Sequence, residues 1–184
     1  MMKNRPLLVV ALESEIPLSA LKGWPVILTG VGKINASYHL SKAISEHRPS
    51  AIINYGTAGA VSENLSGIVE VKKVIQCDMD VRPLGLALGS TPFDECPAEI
   101  SLSEKGVICG TADRFADTPP ELPCDIVDME LFALAKVAYM EKIPLQAFKF
   151  ISDNADEHAS KEWQSSLSSA AQAFLSLKEK LGFA

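Results

Sequence analysis

The stretch DMELFALAKVAYMEKIPLQAFKFISDNAD, residues 128–156, decides the fold. Leu131, Leu134, Ala135 and Ala138 recur at helical spacing, which predicts a helix over roughly 129–141, and Pro144 prevents its continuation. The run PLQAFKFIS that follows, residues 144–152, reads as a strand. A helix feeding directly into an apolar strand is half of the repeating unit of an α/β protein. Acids stand at both ends of this material: Asp128, Glu130, Asp153 and Asp156 flank positions where packing alone favours small or neutral groups. They are either caps or chemistry, and the rest of the chain bears on which.

Outward from that stretch the pattern repeats. LLVVAL (7–12), PVILTG (25–30), AIINYG (51–56), IVEVKKVIQCD (68–78) and GVICG (106–110) read as strands bounded by Gly, Pro, Ser or Asp. Ile34, Tyr38, Ala43 and Ile44 predict a helix over roughly 34–47, and a last helix is expected over about 160–181. Alternation of this kind implies a three-layer α/β/α sandwich with a mostly parallel, mixed central sheet. In such sheets ligands bind beyond the carboxyl ends of the strands. Glu13 and Glu15, Gly30 and Gly32, Gly56 to Gly59, Asp113 to Phe115, and Ser152 with Asp153 all follow an expected strand, so they are expected at one edge.

Composition narrows the partners. The 184 residues suffice for one domain, and 47% hydrophobic with 22% charged residues describes a globular chain. A net charge of −6 argues against nucleic acid or an anionic membrane, both of which are bound through excess Lys and Arg. Small molecules or copies of the chain itself are the expected partners. Cys77, Cys96, Cys109 and Cys124 form no C-x-x-C pair and have no His at metal-ligand spacing, so they read as free thiols in a reducing compartment. The apolar run before Glu13 is too short for a signal sequence or membrane span, and a cytoplasmic protein is expected. His39, His47 and His158 show no nucleophile or metal arrangement.

TGVGKINAS and NYGTAGAV each put glycines at the end of an apolar strand, where the backbone turns tightly or a ligand approaches its N–H groups. Neither is G-x-G-x-x-G or a Walker sequence. Taken in order, however, VALESEI, GVGKINA, IINYGTAGAV, GTADRF, VDMELFALAKVA and FISDNAD resemble the nucleoside phosphorylase/nucleosidase superfamily over about residues 7–175. The 5'-methylthioadenosine/S-adenosylhomocysteine nucleosidase branch is the most similar. The resemblance implies a phosphorylase/hydrolase-like fold, no metal or cofactor, a homodimer or higher homo-oligomer, and cleavage of the N-glycosidic bond of a 5'-modified adenosine.

Breaking an N-ribosyl bond develops positive charge on the sugar and negative charge on the departing purine. A site must protonate the base, hold the ribose hydroxyls and present a nucleophile to the anomeric carbon. The resemblance assigns the acid to Asp153, oriented by Ser152; a buried aspartic acid among carboxylates holds a proton more readily than a free one. The competing reading of Asp153, and of Asp156, is a cap on the following helix. Glu130 would take the ribose 2'- and 3'-hydroxyls with Met129 under the sugar, although a first-turn acid is also favoured by the helix dipole. Glu15 would position and activate water, an ordinary first-turn acid being the competing reading, while Glu13 is expected to face solvent or begin a helix.

Phe115 would pack on the purine, the main chain near Ala116 would read its edge, and Thr57, Ala58 and Gly59 would line the same site. Lys149 stands where the resembled family often has arginine and is read as an ion-pair partner of a site carboxylate. Asp128 adds an acid near the sugar that either raises the proton affinity of Asp153 or selects a different ribose substituent. Phosphorylases of this superfamily carry arginine where this chain has Asn54, so a phosphate dianion would be poorly neutralised and hydrolysis is favoured. Lys33 is the possible exception. The segment between Glu15 and Gly30 is short where relatives carry an additional β-hairpin, which bears on the dimer surface and the 5'-pocket. The alternatives are a same-fold nucleosidase for a hopanoid or menaquinone precursor, a purine nucleoside phosphorylase, and a nucleoside-binding module without turnover.

Overall fold

The computed structural model describes residues 5–21 and 23–181. Among the described residues, eight strands and three α-helices follow in the order β1 (Leu7–Val10), β2 (Val26–Leu28), α1 (Lys33–His47), β3 (Ile52–Ala60), β4 (Ile68–Gln76), β5 (Glu99–Ser101), β6 (Val107–Thr111), β7 (Ile126–Asp128), α2 (Leu131–Glu141), β8 (Leu145–Asp153) and α3 (Ala159–Lys180). Short 3-10 turns cover Glu13–Glu15, Leu18–Leu21 and Arg82–Leu84.

The strands form one mixed sheet with helices on both faces, as the alternation implied. β1 runs parallel to β2 and β3, β3 to β8, β4 to β6, and β6 to β7. Antiparallel pairings join β3 to β7, β4 to β5 and β4 to β8. Because β8 pairs with both β3 and β4 while β7 pairs with β3, the strands β3, β7, β6, β4 and β8 close into a ring, and β1 and β2 extend from it. The mixed sheet of the sandwich is therefore partly closed into a barrel. β5 and β7, three residues each, are too short to show a period-two pattern and had no signal in the sequence.

β1 is buried on both faces, which is why LLVV carries no polar alternation. Leu7 and Val9 join the core beneath α1 and α2, which also takes in Leu40, Ile52, Leu131 and Leu134. Leu8 and Val10 face the α3 side with Tyr55, Phe148, Phe174 and Leu177. On α1 the inward residues are Ala36, Leu40, Ala43 and Ile44; Ile34 and Tyr38, expected on the same face, point outward at 82% and 63% exposure.

One departure governs the site. The glycines of NYGTAGA were expected to turn the chain after Gly56, yet β3 continues through them to Ala60. Its one edge pairs with β1 at Ile52–Asn54 and with β7 at Gly59–Ala60, leaving Tyr55–Ala58 between the two partners. That gap frees backbone groups for side chains.

Phe174 is fully buried and packs on Tyr55 at 5.0 Å between ring centroids, while the Tyr55 hydroxyl donates to the Ala170 carbonyl at 2.6 Å. Phe174→Ala is expected to lower the unfolding free energy by about 3–5 kcal/mol in urea titrations, the usual cost of emptying a large aromatic site. A loss under about 1 kcal/mol would mean that α3 is not part of the cooperative core.

Candidate active site

The first carboxylate is set by the end of β1. The chain enters a 3-10 turn at Glu13–Glu15, which exposes Glu13 and leaves Glu15 only 3% exposed. Glu15 Oε1 accepts from the Thr57 amide and the Thr57 hydroxyl, both at 2.8 Å, and Oε2 accepts from the Leu12 amide at 3.0 Å. The Thr57 N–H is available because it falls in the gap along the edge of β3. Gly56 lies beside this carboxylate, where a Cβ would stand in ordinary contact with Glu15 Oε1 at 3.4 Å and Lys149 Nζ at 3.5 Å.

Glu130 does not sit in the first turn of α2, where the dipole argument placed it. It precedes the helix, and its side chain caps nothing. Glu130 Oε1 accepts instead from the Gly32 amide at 2.9 Å, across the strand ends, where Gly32 adopts φ of +95°. The capping work falls to Asp128, whose Oδ2 accepts from the Leu131 amide at 2.9 Å. Thr111 Oγ1 takes the next amide, Phe132, at 2.9 Å and donates to Asp128 Oδ1 at 2.6 Å.

Lys149, 1% exposed, donates to Asp128 Oδ2 at 2.7 Å. Burial works against the charge of Lys149, but Asp128 and the neighbouring acids more than offset it and hold the amine above its ordinary range. For Glu130, burial and then the Asp128 charge push the carboxyl up from 4.5 to about 7, with Lys149 and the Gly32 amide opposing.

Asp153 closes β8 rather than capping α3. Its Oδ1 accepts from the Ala155 amide at 3.0 Å, and Oδ2 accepts from the Ser152 hydroxyl at 2.6 Å. Ser152 Oγ also lies 3.3 Å from the Ala58 carbonyl. Opposite, Gly59 is required by close approach, not by a turn, because a Cβ would stand 2.6 Å from Asp153 Oδ1. Asp156 is an exposed turn residue that accepts from the His158 amide at 2.8 Å.

These groups open on one cavity of about 150 Å³ at the strand ends. Glu15, Thr57, Ala58, Gly59, Phe115, Ala116, Met129, Glu130, Ser152 and Asp153, each singled out in the sequence, all line it, and Asp128 does too. His158 does not; it is exposed, 3.7 Å from Glu157. Asn54 is turned away and donates from Nδ2 to the Val9 carbonyl at 3.0 Å.

The sequence reading missed Trp163, in the second turn of α3. Its indole Nε1 donates to Thr57 Oγ1 at 3.0 Å, and its ring meets Phe115 edge-on at 6.3 Å. The chain Trp163, Thr57, Glu15 thus links an aromatic wall to a buried anion. A tryptophan ten residues beyond Asp153, in a helix otherwise rich in Ser and Ala, was the available signal. Among the described residues, no group of three or more His, Cys, Asp or Glu is arranged to hold a metal ion. The four cysteines are free thiols, and no helix among the described residues is long and apolar enough to cross a membrane.

A mixed sheet, partly closed, that gathers four carboxylates and two aromatic rings around one small hollow at its strand ends defines a pocket protein built for a polar, ring-bearing ligand. The model of the phosphorylase superfamily matches residues 16–181, and the chain belongs to that superfamily. The 5'-methylthioadenosine/S-adenosylhomocysteine nucleosidase of Staphylococcus saprophyticus is 29% identical over 185 residues, covering 85% of this chain and 80% of the relative. That of Buchnera aphidicola is 31% identical over 163 residues, covering 73% and 68%. Among solved structures, the corresponding nucleosidase of Helicobacter pylori superposes with a TM-score of 0.86 at 19% identity, covering 94% of this chain and 95% of the other. The futalosine hydrolase of the same organism does so at 0.84 and 20%, covering 94% of each. At these identities the solved structures are likenesses of fold.

The raised carboxyl of Glu130 makes stability depend on pH. The folded protein binds that proton more tightly than the unfolded chain, so the contribution is fully present below about 4.5 and is lost as pH rises through about 7. Relative to Glu130→Gln, the native chain is expected to lose up to about 3 kcal/mol of unfolding free energy over that window. Urea titrations of both proteins at several pH values measure it; parallel curves would show that Glu130 does not titrate there.

Proposed function

We propose that this chain hydrolyses the N-glycosidic bond of a 5'-modified adenosine, 5'-methylthioadenosine or S-adenosylhomocysteine, and releases adenine. The observation that carries the reading is the convergence of Glu15, Glu130 and Asp153 on one cavity, each anchored by different donors. The kinship with the nucleosidases above supports the substrate class.

Asp153 is the acid that protonates the purine as it leaves. Ser152 adapts to its two states: its hydroxyl donates to ionised Asp153 Oδ2, and it turns toward the Ala58 carbonyl while accepting from the protonated form. Glu130 keeps one oxygen on the Gly32 amide and offers its remaining lone pairs to the ribose hydroxyls, with Met129 beneath the sugar. An anion there also stabilises positive charge developing on the ring.

Glu15 has three donors in place, which fixes its orientation and leaves an acceptor position for the water that attacks the anomeric carbon. Phe115 with the main chain of Ala116 forms the base wall. Thr57, Ala58 and Gly59 form the floor. Asp128, tied to Lys149, raises the proton affinity of Glu130 by its charge.

Water rather than phosphate is the acceptor. Asn54 spends its amide on the Val9 carbonyl, Lys149 is bound to Asp128, and Lys33 is bound to Asp78. None of these three side chains is free for a phosphate dianion, and Arg114, which lines the cavity and reaches only Thr118 at 3.4–3.5 Å, is the cation whose role the phosphate arm of the assay decides. The chain works as one domain, without cofactor, in the cytoplasm as a step of methionine salvage. It acts as a homodimer: the outward Ile34 and Tyr38 of α1, with Leu84 and Phe93, supply the apolar surface for a second copy.

Release of free base from 5'-methylthioadenosine, S-adenosylhomocysteine and futalosine, assayed with and without phosphate, tests this reading. Adenine is expected from the first two at rates independent of phosphate, and Asp153→Asn is expected to lower kcat by about 10²–10⁴-fold. A strict phosphate requirement would overturn hydrolysis. Ligand-induced thermal stabilisation without any base release would leave a binding module.

A further inference from the structure

A second cluster of charges lies outside the cavity. Lys33, the first residue of α1, donates from Nζ to Asp78 Oδ1 and stands 3.8 Å from Asp113 Oδ2. Its backbone amide donates to Asp113 Oδ1 at 2.8 Å, and the Asp113 amide in turn donates to Asp78 Oδ2 at 2.8 Å. Gln76 Nε2 reaches Asp78 Oδ1 at 3.5 Å. The result is a closed circuit: one ammonium faces two carboxylates, and each carboxylate also takes a backbone N–H.

The circuit joins three segments that are far apart in sequence: the turn into α1, the residues after β4, and the residues after β6. Two of the three, the turn into α1 and the residues after β6, lie within two residues of a group that lines or anchors the cavity, and Asp78 after β4 ties those two together. Gly32, adjacent to Lys33, holds Glu130 through its amide. Phe115 and Ala116 follow Asp113 within three positions and line the cavity. The packing is tight at the join, where a Cβ on Gly32 would come within 3.2 Å of Asp113 Oδ1. Burial works to raise the Asp78 carboxyl, but Lys33 and the Asp113 amide outweigh it and hold it below the ordinary carboxylate range.

We propose that Lys33, Asp78 and Asp113 are positioning residues that set the base wall at Phe115 and Ala116 relative to Glu130, so that the purine and the ribose are gripped in register. The cluster touches no substrate. It acts through the backbone on either side, and Lys33, which a phosphorylase reading would point at phosphate, is committed to it. The ion pairs are partly exposed, with side-chain exposures of 16% for Lys33, 32% for Asp78 and 43% for Asp113. Their effect is therefore one of orientation more than of global stability.

The proposal rests on the nucleosidase reading for its kinetic consequences, and its test has an arm independent of turnover. Lys33→Met, Asp78→Asn and Lys33→Arg are compared with the native full-length chain. Lys33→Met and Asp78→Asn are expected to raise KM for 5'-methylthioadenosine, and Kd for free adenine, by about tenfold, with kcat within about twofold, the pattern of lost binding without lost chemistry. Lys33→Arg keeps the charge and is expected to recover most of the loss.

Amide hydrogen exchange is read on the same proteins. Residues 112–116 are expected to exchange about tenfold faster in Lys33→Met, with β3 and β8 unchanged. Unchanged exchange at 112–116, or kcat falling at constant KM, would overturn the proposal. A native chain that releases no base would sink the function proposed above, while exchange and adenine binding would still decide the role of the cluster.

Discussion

The buried pair between Lys149 and Asp128 is the contact on which the rest of the site depends. Asp128 accepts from Lys149 on β8, from Thr111 on β6 and from the Leu131 amide that opens α2, while itself ending β7. One carboxylate thus ties three strands and a helix start together at the strand ends. Such a pair is weak evidence for net stability, since desolvating both ions costs several kcal/mol. Its value here is geometric and electrostatic. It places a buried cation beside a hollow that gathers four carboxylates, and it leaves Glu130, one residue past Met129, free to face the cavity.

The second constraint is room. Asp153 approaches β3 closely enough that a side chain at Gly59 would meet its Oδ1 at 2.6 Å. Main chain, not side chain, supplies much of the anchoring: the Leu12, Thr57, Gly32 and Ala155 amides all donate to site carboxylates. Amide donors are rigid, so the anions keep their orientation without relying on flexible partners. The split edge of β3, paired to β1 at one end and β7 at the other, is what exposes one of those amides. Ring closure in the sheet and anion placement are therefore one structural event.

The same economy favours the proposed use of water. Two cations near the site are committed, Lys149 to Asp128 and Lys33 to the two aspartates beside it, while Arg114 lines the cavity and reaches only Thr118. A second anion would enter a region already rich in carboxylates, whereas a neutral water meets no such opposition. The fold alone would not have decided this, since folds host many chemistries and the site decides between them.

Much of this was legible in the chain itself. Apolar runs and helical spacings placed α1, α2, α3 and the longer strands to within a few residues, and the order of short motifs pointed to the acids, the serine and the phenylalanine that line the cavity. These are local signals, carried by neighbours in sequence. The three-residue strands β5 and β7, the glycines that continue β3 instead of turning the chain, the inward face of α1 and the reach of Trp163 to Thr57 were not legible. Each depends on which distant segment comes alongside. The residue types and their periodicity determined what could be buried and what could react; only the closing of the sheet determined which backbone amides were left unpaired, and it is those amides that aim the acids.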